Sequence, residues 1–142
     1  MIFLFNAFIC IILVSFSSPL MKKQQYVRVV GKLICNDKPV VNEKVKLWNN
    51  NKFRRDDQLA EVKTNSSGYY EIQGALGSIF TLDVRLKFYT NCGDDKKLCQ
   101  RKIVLTVPET HLSRCKSNIT TFDGGIINLA FKFPGETRDC IN

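Results

Sequence analysis

Phe80-Thr81-Leu82-Asp83-Val84-Arg85-Leu86-Lys87-Phe88-Tyr89 decides the fold class of this chain. Successive side chains of a strand point to opposite faces. Phe80, Leu82, Val84, Leu86 and Phe88 therefore form one buried face, while Thr81, Asp83, Arg85, Lys87 and Tyr89 meet water. Working outward, further strands are predicted at 26–35, 44–48, 60–64, 69–73, 102–107 and 125–133, the last with Ile127, Leu129, Phe131 and Phe133 inward. Turn residues separate them: Asn36-Asp37-Lys38-Pro39, Asn49-Asn50-Asn51, and Asn65-Ser66-Ser67-Gly68, where Gly68 supplies the positive φ of a tight hairpin. One turn of helix is expected around Glu109 to Arg114, after Pro108. About seven to eight short strands at this spacing predict an all-β, antiparallel sandwich.

The whole chain of 142 residues, 44% of them apolar, has room for one domain with a single core. Residues 2–16 are almost wholly apolar and uncharged, and Ser15 and Ser17 are small residues at signal-peptidase spacing. Residues 1–18 are therefore read as a secretory signal, and Cys10 leaves with it. No second long apolar run follows, so no transmembrane segment is expected after cleavage, and the mature protein is expected in the extracellular region. The net charge of +8 is spread over short pairs such as Lys22-Lys23, Arg54-Arg55, Lys96-Lys97 and Arg101-Lys102. Outside the cell such a protein meets anionic lipid, sulfated glycan or acidic protein rather than nucleic acid. Asn65-Ser66-Ser67 and Asn118-Ile119-Thr120 are N-glycosylation sequons in that compartment.

The mature chain holds Cys35, Cys92, Cys99, Cys115 and Cys140. Two bridges with one cysteine left out allow about fifteen arrangements. Cys92 and Cys99 bracket a short polar loop, Cys35 ends the first strand and Cys140 follows the last. Position thus proposes Cys92–Cys99 and Cys35–Cys140, with Cys115 unpaired or bridged to another chain. No Cys-x-x-Cys pair is present and His111 is the single histidine, so neither a zinc site nor a Cys–His or Ser–His centre is expected. The acidic pairs Asp56-Asp57 and Asp94-Asp95 lack the ligand spacing of a calcium loop, and no glycine-rich phosphate loop calls for a cofactor.

Several blocks of sequence occur in an order that resembles the nematode transthyretin-like proteins. They are Gly31-Lys32-Leu33-Ile34-Cys35, Val45-Lys46-Leu47-Trp48, Asn65-Ser66-Ser67-Gly68-Tyr69-Tyr70, Cys99-Gln100-Arg101-Lys102 and Gly135-Glu136-Thr137-Arg138-Asp139-Cys140. The resemblance runs over residues 26–140 and implies a secreted, transthyretin-like β-sandwich. It singles out Cys35, Cys92, Cys99 and Cys140 as the recurring four. Thr90 stands where many relatives carry His. Distant relatives of that fold hydrolyse 5-hydroxyisourate with several histidines and a Tyr-Arg-Gly-Ser tail. This chain has one histidine and ends Asp139-Cys140-Ile141-Asn142, so that activity is not expected.

The expectation is a secreted, non-enzymatic binding protein that recognises a cell-surface, lipid or protein partner. The candidate anion-binding cations are Lys96, Lys97, Arg101 and Lys102, then Arg54 and Arg55. The alternative is a carrier of a small hydrophobic ligand in an oligomer. The sequence sets no oligomeric state.

Overall fold

The computed structural model describes residues 21–93 and 99–141. The expected signal at 1–18, Cys10, Asp94-Asp95 and the candidate cations Lys96 and Lys97 lie outside the described residues.

Nine strands follow in order: β1 (Lys23–Cys35), β2 (Lys38–Pro39), β3 (Lys44–Asn49), β4 (Asp57–Lys63), β5 (Tyr69–Ser78), β6 (Val84–Thr90), β7 (Gln100–Thr106), β8 (Phe122–Asn128) and β9 (Thr137–Asp139). β1 lies at the centre of the first sheet, between β5 with β2 and, on its other edge, β8; the second sheet runs β4-β3-β6-β7-β9. Every described strand pair is antiparallel except β1–β8, which is parallel. That pair arises because residues 107–121 cross from the second sheet back to the first, carrying short 3₁₀ turns at Glu109–His111 and Lys116–Asn118. The first turn coincides with the short helix expected there.

Alternation builds the core. Val27, Val29 and Leu33 of β1 and Ile72 of β5 face Val45 and Leu47 of β3, Val84, Leu86 and Phe88 of β6, and Ile103 of β7, all buried. Burying each large apolar side chain stabilises the fold by about 1.5–3 kcal/mol.

Two expected strands are shorter than their patterns. Phe80, expected inward, is 78% exposed, and its strand begins at Val84. The neighbouring strand β3 ends at Asn49, opposite Val84, so residues 80–82 have no ladder to join there. The Gln25 side chain takes over: its Nε2 donates to the Phe80 carbonyl at 2.8 Å and its Oε1 accepts the Leu82 N–H at 3.0 Å. Phe131, also expected inward, is 67% exposed. β8 stops at Asn128, whose Oδ1 accepts the Ala130 N–H at 3.0 Å and turns the chain towards β9.

The registers give the sandwich two ends. Lys23 pairs with Ser78, Asn49 with Val84 and Asn49 with Asp57, which gathers residues 50–56 and 78–83 at one end. Lys32 pairs with Tyr69, Lys44 with Lys63 and Thr90 with Arg101, which places Cys35, the 64–68 hairpin and Cys92 at the other. At that hairpin Gly68 has φ +80°, and a Cβ there would strike the Leu33 carbonyl.

Gly31 is buried for a different reason. Tyr70 lies across it, and a Cβ on Gly31 would sit 2.7 Å from Tyr70 Cζ and closer still to the hydroxyl. Gly31→Ala is expected to destabilise by about 1–3 kcal/mol through overpacking. The Tyr70 hydroxyl is buried with no hydrogen-bond partner among the described residues. Tyr70→Phe is therefore expected to shift stability by less than about 1 kcal/mol. Urea melts of the two variants check both; a Tyr70→Phe loss as large as that of Gly31→Ala would contradict this account of the contact.

Candidate recognition surfaces

One end of the sandwich is covalently pinned. Cys35 bridges to Cys92 and Cys99 to Cys140, with Cα separations of 5.8 Å and 4.3 Å. The expected pairs Cys92–Cys99 and Cys35–Cys140 are thus replaced. Cys92 lies on the inward parity of β6 and faces Cys35 on the opposite sheet. Cys99 instead immediately precedes β7, whose partner β9 ends beside Cys140: Gln100 pairs with Asp139 and Lys102 with Thr137. Shortness of the 92–99 loop mattered less than the direction in which each cysteine points. Cys115, expected to be unpaired or bridged to another chain, is disulfide-bonded, and its partner is not among the described residues.

Arg101 sits in this pinned end, 6% exposed, and every guanidinium N–H direction is used. Nε and Nη2 donate to the two Glu136 carboxylate oxygens at 3.1 and 2.7 Å. Nη1 donates to the Cys92 and Leu129 carbonyls at 2.9 and 2.6 Å, and Nη2 to the Phe131 carbonyl at 2.8 Å. Such a bidentate, fully satisfied ion pair is a structural tie. Arg101 is therefore corrected from candidate anion ligand to buried clamp. Its neighbour Lys102 points the other way, onto the outer face of the second sheet, and Arg54 and Arg55 stand at the far end. These candidate cations do not form one patch.

The far end carries no bridge among the described residues. A polar network shapes it instead. Asn49, 3% exposed, accepts the Asp83 N–H at 2.9 Å, and Asn50 Nδ2 donates to Asp83 Oδ2 at 3.3 Å. Asn51 donates from its backbone N–H to Asp56 Oδ1 and from Nδ2 to Asp57 Oδ2, both at 2.9 Å. The Asn51 hydrogen bond holds the Asp57 carboxyl below the ordinary carboxylate range, and the Arg85 hydrogen bond does the same for Asp83. Asp56 and Asp57 thus order the turn that leads into β4.

That turn presents Phe53, 99% exposed, between Lys52 and Arg54. Phe80 at 78% and Ile79 at 45% project from the adjoining 78–83 loop. A cleft of about 400 Å³ separates the loops, lined by Asn49, Asn51, Phe53, Phe80, Thr81 and Asp83 among others. Arg54 pairs with Asp57 at 3.2 Å, whereas Lys52 and Arg55 form no ion pair among the described residues. Phe53 escaped sequence analysis because it belongs to no alternating run. Its flanking cations Lys52, Arg54 and Arg55 were the signal that could have drawn attention to it.

The outer face of the second sheet forms a third surface. Lys46 on β3 pairs directly with Lys87 on β6, and Tyr89 pairs with Lys102 on β7. Lys87 Nζ lies 4.5 Å from the Trp48 ring centroid, and Lys46 Nζ lies 5.2 Å from that of Tyr89. Lys46 also approaches Glu61 at 3.7 Å.

The sequons are both at the surface. Asn65 is exposed in the pinned-end hairpin, where its Oδ1 accepts the Ser67 and Tyr69 N–H groups at 3.0 and 2.9 Å. Asn118 is exposed at the end of the second 3₁₀ turn. His111 packs edge-on against Phe122, with ring centroids 5.0 Å apart, and its Nδ1 lies 3.1 Å from the Thr120 carbonyl. Among the described residues no three His, Cys, Asp or Glu side chains cluster as a metal site requires, and no helix is long and apolar enough to cross a membrane.

Comparison with known proteins follows the same lines. A family model described as the transthyretin-like family matches residues 30–108. Transthyretin-like protein 5 of Caenorhabditis elegans is 39% identical over 135 residues, covering 94% of this chain and 97% of that protein. Transthyretin-like protein 33 of the same organism is 37% identical over 115 residues, or 80% of each chain. Transthyretin-like protein 2 is 34% identical over 126 residues, covering 84% of this chain and 85% of that one. Among solved structures, a 9R-lipoxygenase from Cyanothece PCC8801 overlaps 82% of this chain and 18% of that one, with a TM-score of 0.42 and 17% identity. That overlap is too loose to bear on function.

Proposed function

The chain belongs to the transthyretin-like family, and from that premise we propose that it is a secreted, non-enzymatic binding protein that recognises an anionic partner on a cell surface. The observation that carries the reading is Phe53, fully exposed on an ordered turn beside Lys52, Arg54 and Arg55. An exposed aromatic ring beside cations suits an anionic lipid surface, which would cover the ring and meet the charges. The two bridges between Cys35, Cys92, Cys99 and Cys140 support an oxidising compartment. A glycan on Asn65 would sit at the pinned end and leave the Phe53 end clear.

The test is cosedimentation with anionic and with zwitterionic vesicles at low and physiological salt. Each cation near an anionic surface contributes about 1 kcal/mol. The Lys52→Ser/Arg55→Ser variant is therefore expected to bind anionic vesicles roughly tenfold or more weakly and with a shallower salt dependence. Phe53→Ser is expected to weaken binding while leaving the salt dependence intact. Binding by both variants that equals the wild type at low salt would remove this end from consideration.

A further inference from the structure

We propose that the outer face of the second sheet is a separate site for a sulfated glycan, which lies across β6 and β7 with its sulfates on Lys87 and Lys102, beside the largely buried, Glu61-paired Lys46. The three lysines occupy adjacent strands. Lys46 is directly opposite Lys87, and Lys102 is the diagonal neighbour of Lys87, at roughly 7–8 Å across the ladder. Two of the ammonium groups are held in place by aromatic rings, Lys87 over Trp48 and Lys46 over Tyr89. Tyr89 points away from the core and is still only 3% exposed, so this face is packed rather than loosely solvated. Cations already confined in this way lose less side-chain freedom when an anion arrives.

The charges on this face are incompletely balanced. Glu61 approaches Lys46, but neither Lys87 nor Lys102 forms an ion pair among the described residues. Burial, and then the neighbouring Lys102, lower the pKa of Lys87 from the ordinary lysine value, and the carboxylates of Asp56 and Asp139 oppose that shift only in part. An anion placed between these two lysines would relieve that repulsion.

The chemistry of the face favours a polyanionic sugar over a bilayer or a protein. Of the large apolar side chains on β3, β6 and β7, Val104 alone is exposed, at 42%, so there is little to insert into lipid or to form the apolar centre of a protein interface. Thr106 and Thr137 are exposed on β7 and β9 and offer hydroxyls to sugar oxygens. The site rests on the extracellular placement proposed above, where sulfated glycans occur, but not on the Phe53 loop.

Titration calorimetry with a heparin octasaccharide, paired with the vesicle assay, separates the two surfaces. Lys87→Ser/Lys102→Ser is expected to weaken heparin binding at least tenfold at physiological salt and to leave anionic-vesicle binding within twofold. Lys38→Ser/Lys132→Ser removes the same charge from exposed positions elsewhere and is expected to change heparin affinity less than twofold. Equal losses in the two variants would mean that heparin reads net charge alone, and would overturn the site. So would a Lys87→Ser/Lys102→Ser protein that loses vesicles but keeps heparin, an outcome that assigns the face to a bilayer. Lysine acetylation of the wild type needs no variant: the octasaccharide is expected to protect Lys87 and Lys102, and unchanged labelling of both would also overturn the site. Loss of vesicle binding by the Lys52→Ser/Arg55→Ser variant with heparin affinity intact tests the loop reading alone.

Discussion

Arg101→Met is expected to lower the unfolding free energy by about 3–5 kcal/mol, the range for removing one partner of a buried ion pair. The variant would strand the Glu136 carboxylate and the Cys92, Leu129 and Phe131 carbonyls, all of which now receive guanidinium N–H groups. Those acceptors belong to the Cys92 turn and to the 129–136 crossover, so one side chain joins segments that no backbone ladder connects. Urea melts give the size of the loss. A second substitution, Glu136→Leu, removes the stranded carboxylate and is expected to recover part of the stability, so a double-mutant cycle separates pairing from packing. A loss below about 1 kcal/mol for Arg101→Met would mean that the guanidinium is not a clamp.

The same pair predicts an acid limb. The hydrogen bond from Arg101 is the leading cause that holds the Glu136 carboxyl below its ordinary value of 4.5. A lowered folded pKa makes the stabilisation fully present above pH 4.5 and lost as pH falls through the folded value. Wild-type stability is therefore expected to fall below that pH, and Glu136→Gln is expected to flatten that part of the profile. Stability measured between acid and neutral pH in the two proteins checks the sign.

Cys35→Ala/Cys92→Ala is expected to destabilise by about 4 kcal/mol, from the loop entropy of a bridge between residues 57 apart in sequence. The bridge ties the end of β1 in one sheet to the turn after β6 in the other, so its loss frees the two sheets at the pinned end. The Phe53 end lies at the opposite pole, and vesicle binding by the variant is expected to persist at temperatures where it remains folded. Peptide mapping without reduction should return a Cys35–Cys92 and a Cys99–Cys140 fragment. A Cys92–Cys99 fragment would show that sequence proximity had won after all.

The cysteine pairing shows how far a linear reading reaches. Period-2 alternation from Leu82 to Phe88 reports a local property, because a strand side chain's face depends only on its parity, and those residues are buried as predicted. The same parity was available for the bridge. Cys92 continues the even-numbered inward set of β6, and Cys35 continues the odd-numbered inward set of β1. The loop length pointed elsewhere and misled. The family blocks ending in Arg101-Lys102 and in Glu136 to Cys140 were also visible, but their meaning as two paired strands with an internal ion pair was not. Arg101 and Lys102 are adjacent in sequence and opposite in role, since one step along a strand exchanges core for solvent.

Strand pattern, turn chemistry, charge and family were all legible in the chain because each depends on residues near one another in sequence. The partner of each cysteine, the burial of Arg101, the exposure of Phe53 and the meeting of Lys46, Lys87 and Lys102 were not. Each of these depends on register between strands tens of residues apart. Register is set by the packing of two sheets against one core, and no single segment carries that information.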